Sequence, residues 1–86
     1  MAEEKVGVVE HFFNNISVAA IKIKNGELKI GDNIHIVGAH TDFTEEVKSM
    51  QIHNDSVESV KSGDEVGIKL KNRVRENDVV YRIKGE

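Results

Sequence analysis

The chain has 86 residues, a net charge of −3 and no cysteine; a chain this short buries roughly 60 to 65% of the surface it exposes when unfolded, which leaves room for one small domain and no deep cleft. Without thiols there is no disulfide staple and no thiolate zinc site, so stability must come from an apolar core and well-made turns, and a reducing cytoplasm is the expected setting. No apolar stretch approaches the roughly 20 residues of a membrane span, residues 1–5 lack the basic and hydrophobic regions of a secretory leader, and a negative net charge argues against indiscriminate binding to nucleic acid.

Along the chain, apolar residues recur at every second position and Val and Ile outnumber Leu, which predicts strands. The first two lie near 5–11 and 16–24, and Phe12 and Phe13 fall in the connection between them, where one ring is expected to remain exposed. Within the second, the apolar phase slips by one residue at Ala20 and Ile21, the mark of a bulge or sharp bend. Asn25-Gly26 and then Gly31-Asp32 supply turns before a strand near 33–37. A long strand near 44–53 carries a similar slip across Lys48 and Ser49. In Asp55-Ser56-Val57-Glu58-Ser59-Val60 the apolar residues are three apart and Asp55 with Glu58 has the offset of a capping box, which predicts one short helical turn near 55–60. Gly63-Asp64 repeats the earlier glycine turn before a strand near 65–70. The last strand, near 79–83, alternates Val79, Tyr81 and Ile83 as its core face. There is no proline, no low-complexity linker and no convincing internal repeat. Six strands with glycine-rich turns predict an all-β fold: a closed, six-stranded antiparallel β-barrel, one domain over residues 1–86.

Little in this pattern points to catalysis. No Gly-x-x-x-x-Gly-Lys-Ser/Thr loop is present to cradle phosphates, and the Gly-Ile-Lys at 67–69 lies inside a strand rather than before a helix, so no GTP binding is expected. His11, His35, His40 and His53 are few and badly spaced for a metal site; His35 and His40 flank a turn and are placed to meet, but nothing identifies a third and fourth ligand. No Gly-x-Ser-x-Gly elbow occurs, and Glu45-Glu46 reads as the wet face of a strand. The expectation is a protein without enzymatic activity, catalytic residues, metal or cofactor.

Charge is unevenly spread. Residues 1–60 carry five Lys and Arg against ten Asp and Glu, whereas residues 61–86 carry seven against five. Lys69, Lys71, Arg73, Arg75, Arg82 and Lys84 are the candidate basic rim, with Lys71-Asn72-Arg73-Val74-Arg75 forming a loop whose two guanidiniums suit phosphates or carboxylates. The competing reading pairs Arg75 with Glu76 or Asp78 and leaves the rim an ordinary solvated surface.

Several stretches together resemble the second, β-barrel domain of translation GTPases such as elongation factor Tu, standing alone: Asn25-Gly26 through Gly31-Asp32-Asn33-Ile34-His35-Ile36-Val37-Gly38, Met50-Gln51-Ile52-His53, Gly63-Asp64-Glu65-Val66-Gly67-Ile68 and Val74-Arg75-Glu76-Asn77-Asp78-Val79-Val80. The segment from His35 to Ile68, with Thr41-Asp42-Phe43, is also similar to the C-terminal barrel of collagenase-like peptidase relatives. The resemblance implies a translation-protein barrel and marks His53 as RNA-facing. It departs from the family at Asn54, where an arginine is expected, and at Glu10, where an aromatic is expected, so aminoacyl-tRNA binding is not carried over. The resulting expectation is a non-enzymatic binding module that contacts RNA, tRNA or the ribosome through its basic C-terminal third and His53. The alternative is a protein-docking module that uses the acidic N-terminal portion or an exposed sheet edge, with no nucleic-acid binding. Neither reading involves a membrane.

Overall fold

The computed structural model describes residues 2–84, and every regular element among them is a β-strand. The first, β1 (Ala2–Phe13), is followed by β2 (Val18–Ile23), β3 (Glu27–Lys29), β4 (Asn33–Gly38), β5 (Thr41–Glu46), β6 (Met50–Ile52), β7 (Asp55–Val57), β8 (Ser59–Lys61), β9 (Glu65–Lys69) and β10 (Val79–Lys84). Eight strands form one antiparallel sheet in the order β5-β4-β10-β1-β2-β9-β6-β7, and β3 pairs with β8 in a second sheet. Both sheets serve one core: Leu28 and Val60 of the small sheet join Val6, Val9, Ile21, Ile23, Ile34, Ile36, Ile68 and Val80 of the large one.

The all-β class stands, but the closed six-stranded barrel does not. Ten strands are present, and the sheet ends at β5 and β7, which do not pair with each other. The reason lies in the segment expected as one strand over 44–53. Val47 is fully buried, and its N–H and C=O are bound to Asp32 O and Gly31 N, each at 2.8 Å. Its backbone therefore serves a turn rather than a ladder, and the chain divides into β5 and β6, far apart in the sheet order. β6 and β7 are only three residues each, too short to complete a circuit.

The helical turn expected near 55–60 is also absent. Val57 pairs with Met50 in the β6–β7 hairpin, and Val60 belongs to β8. Between them Glu58 bends the chain from one sheet to the other, with its carbonyl accepting from Ile30 N at 3.0 Å. The three-residue apolar spacing thus comes from a change of sheet, not from a helical period. In β10 the predicted phase is off by one: Val80 is fully buried, whereas Val79, Tyr81 and Ile83 are half-buried.

The bulge expected in β2 lies on its partner. Ala19, Ile21 and Ile23 alternate inward without a slip, while β1 pairs Val9 with Ile21 and His11 with Ala20, leaving Glu10 as the extra residue. A second register shift, at Val6, separates Lys5 from Gly7 in the pairing with β10. The shift at Val6 lets Val6 and Val9, three residues apart, both face the core. Next to that shift, a β-carbon on Gly7 would run into the carbonyl oxygen of Lys22, so only glycine lets β1 lie this close to β2.

The two Gly-Asp turns share one design, and a third copy completes an internal repeat that residue identities conceal. In Lys29–Asp32 and Lys61–Asp64 the glycine has φ of 95° and 99°, and the Asp carboxylate accepts the Lys N–H at 2.8 and 3.0 Å. Arg75–Asp78 does the same, with Asn77 at φ 73° in the glycine's place and Arg75 N donating to Asp78 at 2.8 Å. In each copy the left-handed residue donates its N–H to a buried core residue's carbonyl: Val47, Ile23 and Val9 respectively, all at 2.8 Å. Each of those core residues donates its own N–H back to the Asp carbonyl, at 2.8, 2.9 and 2.8 Å. The three turns therefore launch β4, β9 and β10 while satisfying backbone groups that burial would otherwise strand.

Candidate functional site

The histidines are held by carboxylates or lie on turns, and no group of three or more His, Asp or Glu among the described residues is placed to hold a metal ion. His35 does not meet His40. Its Nδ1 lies 2.9 Å from Glu3 and its Nε2 2.6 Å from Asp42, which joins β4 to β1 and β5. With a carboxylate at each nitrogen the imidazolium form is favoured: the hydrogen bond to Asp42 raises its pKa above the usual value most, that to Glu3 adds to the rise, and partial burial opposes them. Tyr81 packs beside it, ring centroids 6.3 Å apart, rather than in the core. Among the described residues no helix is long and apolar enough to cross a membrane.

The candidate basic residues fall in several places. Arg82 Nε is 3.3 Å from Asp32 and Lys84 Nζ 3.6 Å from Glu4, so both are engaged in ion pairs. Lys69 and Lys71 line a small cleft of about 180 Å³ that also contains Glu45, Glu46 and Lys48. There Glu45 fixes the loop by accepting Lys71 N at 2.7 Å. Arg73 and Arg75 come together in a different, open cleft of about 550 Å³, lined also by His11, Phe12, Asn14, Val74, Asn77 and one carboxylate, that of Glu76. The local sequence explains this pairing: Val74 is buried, so its two neighbours are turned outward together. Among the described residues neither guanidinium has a carboxylate partner. Arg75 binds Asp78 through its backbone N–H alone, and the Glu76 carboxylate lies 3.2 Å from His11 Nδ1.

His53 belongs to neither cleft. With Asn54 it forms the two-residue loop of the β6–β7 hairpin, at φ 51° and 67°, the pair of left-handed conformations that a primed hairpin turn requires. This loop borders a groove of about 460 Å³ that brings together His53, Asn54 and Glu10, the three positions the resemblance singled out, with apolar residues that the sequence reading did not place there. Its floor is the cross-strand row of Ala20, Gly67 and Gln51, and its sides include Glu10, Phe13, Ile16 and Glu65. Phe13 is the exposed ring expected near the first connection, at 43% exposure; Ile16, placed by the sequence inside a strand, is 55% exposed in the β1–β2 turn. The signal that was available is the small size of Ala20 and Gly67, since a hollow on a sheet face needs residues that do not fill it.

A family model for elongation factor Tu domain 2 matches residues 17–81. An uncharacterized protease of Methanocaldococcus jannaschii is 48% identical over 81 residues, covering 93% of this chain and 20% of the protease. A collagenase of Porphyromonas gingivalis is 35% identical over 78 residues, covering 90% of this chain and 22% of the collagenase. The chain thus spans about a fifth of the length of these curated relatives. Among solved structures, the C-terminal domain of a candidate U32 peptidase of Geobacillus thermoleovorans superposes with a TM-score of 0.86 at 15% identity, over 94% of this chain and 93% of that one. At that identity the likeness is one of fold.

Proposed function

The chain belongs to the elongation factor Tu domain 2 family, and from that premise we propose that it is a non-catalytic docking module that engages RNA through the cleft formed by His11, Arg73 and Arg75. The observation that carries this reading is the convergence of two guanidiniums, both without a carboxylate partner among the described residues, on one open cleft. Guanidinium forks match phosphate oxygens in pairs, and Asn14 and Asn77 add neutral donors beside them. The contact face of this proposal is narrower than the whole basic C-terminal third. Arg82 and Lys84 have structural partners, Lys69 and Lys71 share their cleft with two glutamates, and His53 borders a groove that also contains Glu10 and Glu65.

The relatives named as protease and collagenase are about five times longer than the matched segment, and in proteins of that kind we assign this chain the accessory role and place peptide hydrolysis outside it. A cytoplasmic setting, where RNA, tRNA and ribosomes are available, fits a chain without cysteine.

A salt-dependent gel shift with single-stranded RNA tests the reading. At about 0.05 M salt and tens of micromolar protein, within the usual range of nonspecific affinity, a complex is expected. Arg73→Ala/Arg75→Ala is expected to weaken it and to reduce the slope of log K against log salt by about 1.4, roughly 0.7 for each lost phosphate contact. No complex at that salt overturns RNA binding; a complex that the double substitution leaves unchanged overturns the choice of cleft.

A further inference from the structure

We propose that the groove between the β1–β2 turn and the β6–β7 hairpin is a docking site for an extended segment of a partner protein that presents an aliphatic side chain next to a lysine or arginine. The residues lining this groove and the arginine cleft do not overlap, and the two sites meet where Phe13 of the groove packs edge to face on His11 of the cleft, ring centroids 4.5 Å apart.

Apolar exposure on this molecule is concentrated here. Among the described residues Phe13 and Ile16 are two of the three large exposed apolar side chains, and both line the groove. Such a patch on so small a surface marks an interaction site more often than a lone exposed leucine does. Beneath them Ala20 sits opposite Gly67, and Val18 Cγ1 lies 3.2 Å from where a Gly67 β-carbon would be. The floor is low because its residues are small, and the volume of about 460 Å³ suits one or two side chains of a ligand.

Charge selects the occupant. Glu10 and Glu65 line the groove, and no lysine or arginine does. Neither carboxylate has a hydrogen-bond or ion-pair partner among the described residues; Lys22, across the ladder from Glu65, directs its Nζ to the carbonyl of Gly63 at 3.4 Å. Glu10 is the extra residue of the β1 bulge, so it is the bulge that brings this carboxylate to the groove. Two unpaired carboxylates repel a phosphodiester and attract an ammonium or guanidinium, while Phe13 offers an aromatic surface to the same cation. An aliphatic neighbour on the incoming segment then covers Ile16 and Val18.

The walls are preorganised. Ser17 at φ 57°, His53 at φ 51° and Asn54 at φ 67° are three of the four non-glycine residues in the left-handed region among the described residues, and they lie in the two turns that bound the groove. Tight turns of this kind hold their flanking side chains in place, which lowers the ordering cost of binding.

The test titrates the ¹⁵N-labelled chain with a capped hexapeptide, Gly-Val-Lys-Val-Leu-Gly, and follows amide shifts. Shifts confined to Phe13, Ile16, Ala20, Asn54 and Gly67, saturating at or below about 1 mM, are expected, the weak end of specific affinity. Replacing the peptide lysine by glutamate is expected to abolish them, and Glu10→Gln/Glu65→Gln to reduce affinity at least fivefold with the spectrum otherwise unchanged. If those substitutions disturb the fold, Phe13→Ala provides the second variant, with the same fivefold loss expected. Arg73→Ala/Arg75→Ala is expected to leave the peptide titration unaltered, which separates this site from the RNA reading. The proposal is overturned by an absence of shifts at 1 mM, by equal binding of the glutamate peptide, by shifts that follow Arg73 and Arg75 instead, or by a single-stranded RNA that perturbs the groove residues as strongly as the peptide does.

Discussion

His35 is held at both ring nitrogens, and the consequence is a small dependence of stability on pH. Asp42, and then Glu3, hold its pKa above the usual 6.5, so the folded state binds the proton more tightly than the unfolded chain does. The contribution is therefore fully present below about pH 6.5 and lost as pH rises through the folded-state value. Asp42 is 76% exposed, so the contribution stays below about 1 kcal/mol. Melting curves between pH 5.5 and 8.5 check this: the midpoint of the parent is expected to fall across that window relative to His35→Gln, and parallel profiles would remove the clamp from the account. At this scale the sequence was partly legible. The outward direction of Arg73 and Arg75 follows from Val74 between them, but the clamp on His35 does not, because Asp42 lies across the β4–β5 hairpin while Glu3 comes from β1, 32 residues away.

Turns and strand bends were legible in different degrees. Gly31 and Gly63 announced their turns because a β-carbon is disfavoured at φ of 95° and 99°. Asn77 reaches the same region with its side chain in place, so the third copy of the turn exists in backbone conformation and hydrogen bonding but not in residue identity. Gly31→Val isolates the conformational cost, since no atom lies within 4 Å of a β-carbon built there. It is expected to lower stability by about 1 to 2 kcal/mol, or more given the branched side chain, as measured by urea denaturation. A variant as stable as the parent would show that the turn relaxes. The strand errors share a different cause. Apolar spacing reports which residues face the core, not which sheet carries them, so Val57 and Val60 imitated a helix while belonging to two sheets. Likewise, adjacent valines at 79 and 80 fit either phase, and the neighbouring Asp78 turn, anchored on Val9, determines which one faces inward.

For the whole molecule, the apolar residues were readable as a core, but closure was not, because strand order depends on pairings that no local pattern encodes. Ile21, fully buried at the centre of β2, serves as the probe of that core. Ile21→Ala is expected to cost about 2 to 5 kcal/mol, a large share of the roughly 4 to 13 kcal/mol available to a chain of this size. Chemical denaturation of the two proteins measures it, and a loss under about 1 kcal/mol would mean that the core is looser than its burial indicates. The position of β1 has a further bearing, on synthesis rather than on stability. β1 lies between β2 and β10, with Ala2 opposite Lys84. While the chain is being made, β1 has a hydrogen-bonding edge without a partner until β10 has also been made. β10 is thus the strand that shields β1 from pairing with another chain.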